Sequence, residues 1–243
     1  MEIYVLEAKE KIRSSFEKLN CALSEEQAEK FYDYYRLLVE WNEKINLTAI
    51  TDFEQVLLKH FIDSCALCKA LDMEKIQTVI DVGTGAGFPG VPLKIVFPHL
   101  KITLLDSLNK RIVFLDEIAK QLSLNNVEAV HGRAEEAGHN KKYREQYDLC
   151  VSRAVANLSV LMEYCTPFVK TDGLFVSYKS GEVEEEAEQA HRAAEILHCQ
   201  MESIEKLVLP DSDLSRSFVM LRKKQPLDKK YPRRAGVPAK NPL

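Results

Sequence analysis

The sequence has 243 residues, of which 46% are hydrophobic and 29% charged, and its formal net charge is −4. This composition excludes a fibrous or intrinsically disordered protein, and the length fits one full-size domain or one domain with a small extension. No apolar run approaches the roughly 18 residues that a membrane-spanning helix needs. Because the first residues also mix charged with apolar side chains, unlike a signal peptide, we expect a cytoplasmic protein without a membrane anchor.

The first 75 residues contain no glycine and no proline. Apolar residues recur there at helical spacing, as in Phe31, Tyr34 and Leu38. Ser24-Glu-Glu-Gln27 is a capping-box sequence that starts this helix. We therefore predict a helical N-terminal region over residues 1–75.

From residue 78 onwards, short apolar runs alternate with helical patterns. The predicted strands are 78–82, 101–106, 127–131, 147–152 and 173–179, and the predicted helices are 91–97, 110–122, 158–169 and 182–198. Repeated strand–helix alternation predicts an α/β fold with a parallel sheet that is covered on both faces.

The last two predicted strands, 201–209 and 217–224, are joined by a short polar loop with no helix between them. Parallel neighbours need a long crossover, so these two strands must be antiparallel. A mostly parallel seven-stranded sheet with a C-terminal antiparallel hairpin is typical of Rossmann-like class I methyltransferases, whereas nicotinamide-binding domains keep their strands parallel. We predict such a domain over residues 76–243.

The loop after the first strand, Asp81-Val-Gly-Thr-Gly-Ala-Gly-Phe-Pro-Gly90, fits two cofactors. It contains the G-x-G-x-x-G pattern of a dinucleotide site, and also an acid followed by G-x-G-x-G, which indicates S-adenosylmethionine. A carboxylate at Asp81 could attract the ammonium group of S-adenosylmethionine but would not help a pyrophosphate. Pro89 has no N–H to offer a phosphate. We therefore predict S-adenosylmethionine as the cofactor, bound at Gly83 and Gly85.

Three later strand ends supply the other candidate cofactor residues. Asp106 can accept hydrogen bonds from ribose hydroxyls, which both cofactors carry, although it could instead cap the following helix. We expect backbone amides at Ala134 and Glu135 to contact the adenine ring. Arg153 follows the fourth strand and is predicted at the mouth of the site, with a lone surface arginine as the alternative.

Six cysteines are present, at positions 21, 65, 68, 150, 165 and 199. Cys65 and Cys68 form a single C-x-x-C pair in a helical stretch, with no second pair at zinc-ribbon spacing. We predict reduced structural thiols, as in a cytosolic protein, and no metal site.

Charge is unevenly distributed, because the segment 222–243 has one acid, Asp228, and eight bases: Arg222, Lys223, Lys224, Lys229, Lys230, Arg233, Arg234 and Lys240. A basic tail on an acidic body predicts a polyanionic partner, although a solvated charged tail remains the alternative.

Several sequence blocks, spread over nearly the whole chain, carry a family resemblance. They are VEWNEKINLT (39–48), KHFIDS (59–64), the glycine loop, DSLNKR (106–111), RAE (133–135), SRA (152–154) and YPRRAGVPAK (231–240). In these blocks the sequence closely resembles the bacterial 16S ribosomal RNA guanine-N7 methyltransferases, also called the glucose-inhibited division protein B family.

The resemblance implies transfer of a methyl group from S-adenosylmethionine to N7 of a guanine in 16S rRNA, free or in a small-subunit precursor. It also implies cofactor contacts at Gly83, Phe88, Ala134, Glu135 and Arg153. Phe88 comes from the resemblance alone. In Lys179-Ser-Gly181 the sequence departs from relatives that have glycine directly after the lysine, which leaves any role of Lys179 open.

Guanine N7 has an in-plane lone pair, so in-line displacement needs positioning rather than a general base. The sequence has no Asp/Asn-Pro-Pro-aromatic motif, and Cys150 falls within a strand, so no catalytic residue is assigned. The residues expected to contact RNA are Lys110, Arg111, Arg153, Lys179, Lys230, Arg233 and Arg234. A monomer is expected. An NAD-dependent oxidoreductase and a non-catalytic rRNA-binding factor are the competing functions.

Overall fold

The computed structural model describes residues 2–153 and 156–243; Ala154, in the last part of the SRA block, lies outside them. The α-helices are α1 (Glu2–Glu17), α2 (Glu25–Ile45), α3 (Phe53–Val56), α4 (Asp63–Cys65), α5 (Gly90–Val96), α6 (Asn109–Gln121), α7 (Ala134–Ala137), α8 (Leu158–Cys165), α9 (Glu184–Gln189), α10 (His191–Ile196) and α11 (Val237–Lys240). A π-helical stretch, Leu57–Ile62, joins α3 to α4, and 3₁₀ helices lie at Ala66–Lys69, Met73–Lys75 and Thr166–Phe168.

One sheet organises the molecule. Its strands are β1 (Thr78–Val82), β2 (Lys101–Asp106), β3 (Val127–His131), β4 (Tyr147–Ser152), β5 (Val169–Ser180), β6 (Cys199–Val208) and β7 (Ser215–Lys223). Their order is β3-β2-β1-β4-β5-β7-β6, with β1 to β5 parallel and β7 antiparallel to both β5 and β6. The predicted mostly parallel seven-stranded sheet with a C-terminal antiparallel hairpin is therefore confirmed.

The N-terminal helices pack on one face of this sheet. Ser24 caps α2, and its hydroxyl accepts from the backbone of Gln27 while the Gln27 side chain accepts from the Ser24 backbone. Fully buried side chains of α2, such as Phe31 and Leu38, join the same hydrophobic core as Val79 of β1. The N-terminal helical region and the sheet thus share one core, and the division at residues 75 and 76 stays a prediction.

The opposite face of the sheet has a second core, formed with α8, α10 and the C-terminal segment. Two predicted helices are shorter here than expected. The helix that was predicted over 158–169 ends at Cys165, because Pro167 follows and cannot supply a backbone N–H. The helix predicted over 182–198 is divided at Ala190 into α9 and α10. In the described part of the chain, no helix has the length and apolarity needed to span a membrane.

Candidate active site

The glycine loop turns sharply at the carboxyl end of β1. Gly83, Gly85 and Gly87 have φ angles of 74°, 63° and 99°, in the region that side chains disfavour. The amide of Gly83 donates to the carbonyl of Leu105 at 2.9 Å, which ties the loop to the neighbouring strand β2. A Cβ atom added at Gly85 would meet no atom within 4 Å, so this residue faces open space. The loop leaves room for a ligand at this point.

Asp81 anchors the glycine loop through hydrogen bonds. Its Oδ2 accepts hydrogen bonds from Thr84 Oγ1 at 2.7 Å and from the Gly90 amide at 2.8 Å. The side chain is completely buried and does not line the cavity described next. Burial raises the pKa of Asp81 to about 6, despite the two hydrogen bonds and Arg153. The structure thus gives Asp81 a loop-anchoring position rather than the ligand-facing one expected from the sequence.

A cavity of about 480 Å³ opens at the carboxyl ends of β1, β2 and β4, the usual ligand-binding edge of such a sheet. It brings together six of the seven residues predicted to bind cofactor: Gly83, Gly85, Asp106, Ala134, Glu135 and Arg153. We call this space the cofactor cavity. Phe88 is not among the residues that line it, and its contact with the cofactor stays a prediction. Tyr164 and Leu161 of α8 are on the wall and were not predicted.

Phe88 lies instead in an aromatic stack behind the wall. Its ring is 4.5 Å from the His60 ring and 5.4 Å from the Tyr34 ring, measured between centroids, and only 5% of the residue is exposed. The guanidinium of Arg153 lies over the Phe88 ring at 5.2 Å. Phe88 therefore packs against Arg153, a residue that does line the cavity.

Asp106 organises the floor of the cofactor cavity. Its Oδ2 accepts from the Gly85 amide at 2.9 Å, and its Oδ1 accepts from the Leu108 amide at 2.9 Å. Arg111 Nη1 lies 3.1 Å from Oδ2. The carboxylate therefore fixes the glycine loop and the start of α6 while it faces the cavity. Of the two positions that the sequence left open it takes the cavity wall, and it contacts the amide of Leu108, the N-cap residue of α6, rather than capping the helix itself.

Glu135 lies at the opposite side of the cofactor cavity and is tied to the C-terminal tail. Its Oε1 accepts from the amide of Gly236 at 3.0 Å, and the residue is buried. Nearby, Arg233 donates from Nε and Nη2 to the buried Glu163 of α8, at 2.6 to 3.0 Å. The helices α7 and α8, which carry this side of the wall, are thus both bound to residues 233–236.

Arg153 lies where two cavities meet. Its Nη1 donates to the carbonyl of Lys59 and to Asp63 Oδ2, both at 3.1 Å. Asp63 also accepts from Arg216 Nε at 2.7 Å, so one buried carboxylate holds two arginines. Burial, reinforced by Arg153, lowers the pKa of His60 to about 4, so the imidazole beside Arg153 is neutral near pH 7.

The second cavity, of about 500 Å³, shares Arg153 and Ala156 with the cofactor cavity. Lys179 lines it and donates to Glu186 Oε1 at 2.8 Å and to the Ala156 carbonyl at 2.7 Å. Asp63, Arg216 and Glu186 also line it and were not assigned from the sequence. Asp63 falls within the KHFIDS block, which was the one available signal; the partner Arg216 lies 153 positions away. We call this space the acceptor cavity.

Several of the residues predicted to bind RNA have partners within the protein. Arg111 is paired with Asp106 and Arg233 with Glu163, while Lys110 donates to the Ile45 carbonyl at 2.8 Å. Lys230 and Arg234 are exposed.

The positive charge of the tail is also partly neutralised within the protein. Lys223 is 1% exposed and is paired with Glu145 at 2.6 Å, and Arg222 is paired with Glu202. With Arg233 and with Lys230, which is paired with Asp228 at 3.3 Å, four of the eight basic residues counted from the sequence form ion pairs within the protein.

Comparison with known proteins identifies the family. The family model for rRNA small subunit methyltransferase G (GidB) matches residues 27–215. The chain is 52% identical over 221 residues to the ribosomal RNA small subunit methyltransferase G of Acetivibrio thermocellus, a match that covers 91% of this chain and 90% of the relative. The protein of the same name from Alkaliphilus metalliredigens is 45% identical over 238 residues, which cover 98% of this chain and 100% of the relative.

Solved structures agree with this assignment at the level of the fold. Mitomycin 7-O-methyltransferase MmcR has a TM-score of 0.55 and 14% identity, over 78% of this chain and 60% of its own. The YcgJ protein of Bacillus subtilis has a TM-score of 0.52 and 15% identity, over 68% of this chain and 100% of its own. The resemblance stated from the motifs is confirmed: the chain belongs to the GidB family, rRNA small subunit methyltransferase G.

Proposed function

We propose that this protein transfers the methyl group of S-adenosylmethionine to N7 of a guanine in 16S rRNA. Family membership makes it a methyltransferase for small-subunit rRNA; the cofactor contacts, the base and the atom are what we add. The observation that supports this most is the meeting of two cavities at Arg153 and Ala156, one beside the glycine loop and one beside Lys179. Such a pair of spaces suits a donor and an acceptor that react at their junction.

The residues of the cofactor cavity fit S-adenosylmethionine. Gly85 has no side chain and faces open space, which allows a ligand to approach the backbone. Asp106 is a buried carboxylate on the wall, where it would accept hydrogen bonds from ribose hydroxyls. Ala134 and Glu135 would hold the adenine ring. When bound, S-adenosylmethionine supplies an electrophilic methyl group on a sulfonium centre.

The protein contributes by positioning the reactants, and the ionisable side chains near the junction are neutral or paired. Guanine N7 attacks with its in-plane lone pair, so no side chain has to remove a proton. Consistent with this, His60 is neutral and stacked on Phe88, and both oxygens of Asp63 are held by arginines. Arg153, fixed by three polar neighbours and the Phe88 ring, would orient the base at the junction.

For RNA binding we propose the exposed basic residues of the tail, Lys230 and Arg234, together with Lys110 at the start of α6. Arg111 and Arg233 act instead through their carboxylate partners, as their ion pairs indicate. Both cavities are formed within a single chain, so we propose that the monomer is active. A ribosomal RNA substrate would place the protein in the bacterial cytoplasm.

A transfer assay tests this function. Small subunits, subunit precursors and free 16S rRNA are incubated with the protein and with S-adenosylmethionine labelled in its methyl group. We expect label in RNA from at least one of these substrates, and saturable binding of the unlabelled cofactor. RNA binding without transfer to any substrate would favour a non-catalytic rRNA-binding factor. Quenching of NADH fluorescence without binding of S-adenosylmethionine would favour an oxidoreductase.

A further inference from the structure

The acceptor cavity is balanced in charge. Its lining includes three acidic and three basic residues: Asp63, Glu182, Glu186, Arg153, Lys179 and Arg216. All three basic side chains already have an acidic partner, because the two arginines share Asp63 and Lys179 is paired with Glu186. A phosphate would find no unpaired cation on this wall. A neutral nucleobase fits this cavity better than a phosphate does, especially a nucleobase that gains a positive charge on methylation.

Glu186 is a partly buried acidic residue of this wall with spare hydrogen-bonding capacity. Its Oε1 accepts from the Leu158 amide at 2.6 Å and from Lys179 Nζ at 2.8 Å. Its Oε2 accepts no hydrogen bond from residues 2–153 and 156–243, and its side chain is 26% exposed. In contrast, each oxygen of Asp63 accepts from an arginine. Two contacts therefore fix the Glu186 carboxylate while one oxygen remains available to a ligand.

Resting on the function proposed above, we propose that the acceptor cavity receives the target guanine and that Glu186 reads its Watson–Crick edge. The guanine N1–H and N2–H₂ groups are adjacent donors, and a carboxylate is an acceptor-only partner for them. N7 lies on the Hoogsteen edge of the base, away from N1–H and the 2-amino group, so this contact leaves N7 free to face the cofactor cavity. Adenine presents an acceptor at N1, which the carboxylate repels.

Lys179 has a positioning role in this arrangement. It is half-buried between Glu186 and the carbonyl of Ala156, a residue shared by both cavities. It orients the Glu186 carboxylate and offsets part of its charge. Arg153 complements the pair, since its guanidinium plane is supported on one side by Phe88 and lines both cavities. A flat guanidinium of this kind can stack on an RNA base.

The test compares two substrates and two variants. Small subunits are reconstituted with either guanosine or inosine at the methylated position; inosine keeps N7, N1–H and O6 but lacks the 2-amino group. The full-length wild type is compared with Glu186→Gln and with Glu188→Gln, a matched change on the same helix α9 at a side chain that is 81% exposed and does not line the cavity. kcat/KM is measured on both substrates, and cofactor affinity is measured separately.

We expect the wild type and Glu188→Gln to prefer guanosine over inosine by about 10-fold or more, because the Glu186 carboxylate loses one of its two donors in inosine. Glu186→Gln should lower kcat/KM on guanosine by about 30-fold and bring the preference close to 1, with cofactor affinity unchanged. If its turnover is too slow, the same ratio is read from competition between the two subunits for binding.

An unchanged guanosine preference in Glu186→Gln, by either readout, would overturn the assignment of Glu186. So would a wild type that methylates both substrates equally. Both results leave the methyl transfer itself intact. Absence of methylation of guanosine subunits by the wild type would instead contradict the proposed function, so the two failures are distinguishable.

Discussion

The two sides of the cofactor cavity are held in different ways. On the loop side, Asp81 and Asp106 bind the amides of Gly90 and Gly85, and all these residues lie within 25 positions of one another. On the tail side, Glu135 is bound to Gly236 and Glu163 to Arg233, across 101 and 70 positions. The first side depends on a short motif, and the second depends on the return of the C-terminal tail to the sheet.

The C-terminal tail of this protein thus has a part that is bound internally and a part that is exposed. Arg144 strengthens the internal part, since its guanidinium donates to the carbonyls of Gly138, Leu227 and Tyr231 at 2.8 to 2.9 Å. Arg234, one position after Arg233, is exposed. Adjacent arginines can therefore separate a contribution to the cofactor cavity from a contribution to RNA binding.

The largest effect should come from Arg233→Ala, which leaves the carboxylate of Glu163 buried without its ion-pair partner. We expect the free energy of unfolding to fall by about 3 kcal/mol, and cofactor affinity to fall by about 10-fold, as α7 and α8 lose their common support. Urea unfolding and calorimetric titration measure these two quantities.

Arg234→Ala is the matched control. It should change the free energy of unfolding by less than about 0.5 kcal/mol and leave cofactor affinity unchanged. It should reduce the slope of log affinity for RNA against log salt concentration by about 0.9. If Arg233→Ala kept full stability and weakened only RNA binding, the assigned support role of the tail would be wrong.

On the loop side, Asp106→Asn tests the floor of the cavity. The variant keeps the size of the side chain but removes the charge that holds Gly85 and Arg111. We expect a fall in cofactor affinity of about 100-fold, or about 2.7 kcal/mol. Asp116→Asn, at an exposed position of α6, serves as the control and should bind cofactor normally. Equal affinities for the two variants would exclude Asp106 from cofactor binding.

Asp81 gives the loop side a dependence on pH. Burial raises the pKa of Asp81 to about 6, whereas the unfolded value is near 3.9. Between these values the folded protein retains a proton that the unfolded chain has released, so the free energy of unfolding falls as the pH rises from about 4 to 6. Asp81→Asn removes this fall, which should amount to about 2 kcal/mol across that window.

Urea unfolding of both proteins at a series of pH values measures the difference. His60 also titrates in this range, but it is present in both proteins and its contribution cancels. The predicted sign is a variant that gains stability relative to the wild type as the pH rises. Parallel curves would show that Asp81 is not held in a buried environment.

The smallest effect concerns two glycines of the same loop. Gly85→Ala should cost about 1 kcal/mol of stability, because its φ is 63°, and should weaken cofactor binding, because the added methyl group enters the cavity. Gly87→Ala places a Cβ atom 2.7 Å from Tyr34 Oη, away from the cavity. It should reduce stability more than Gly85→Ala and cofactor affinity less. The reverse order, seen by thermal melting and titration, would contradict the placement of Gly85.

The loop side of the cofactor cavity could be predicted from the sequence because the residues that form it lie close together in the chain. Strand–helix alternation and the helix-free link before the last strand determine the topology, and the glycines and acids that follow β1 and β2 mark the ligand edge. The fold and the family were therefore predicted correctly, and six of the seven candidate cofactor residues do lie on one cavity.

The remaining features depend on pairs that are distant in sequence. A basic residue has the same appearance in the sequence whether it faces RNA or a buried acid, so Arg111 and Arg233 were assigned to RNA while the structure pairs both internally. The bridge from Asp63 to Arg216 spans 153 positions and has no periodic pattern. Phe88 was assigned to the cofactor from the family resemblance alone, and the structure shows its ring stacked on the His60 ring, which no sequence pattern indicated.

The central claim is that guanine N7 of 16S rRNA accepts the methyl group. Its most direct test is to map 7-methylguanosine by mass spectrometry of nucleosides and by chemical cleavage at N7-methylated sites, after small subunits or their RNA are incubated with the protein and S-adenosylmethionine. We expect one 7-methylguanosine at a single position, and much less of it with Asp106→Asn at a cofactor concentration that saturates only the wild type. Methylation at another atom, or no modification in any form of the substrate, would contradict it.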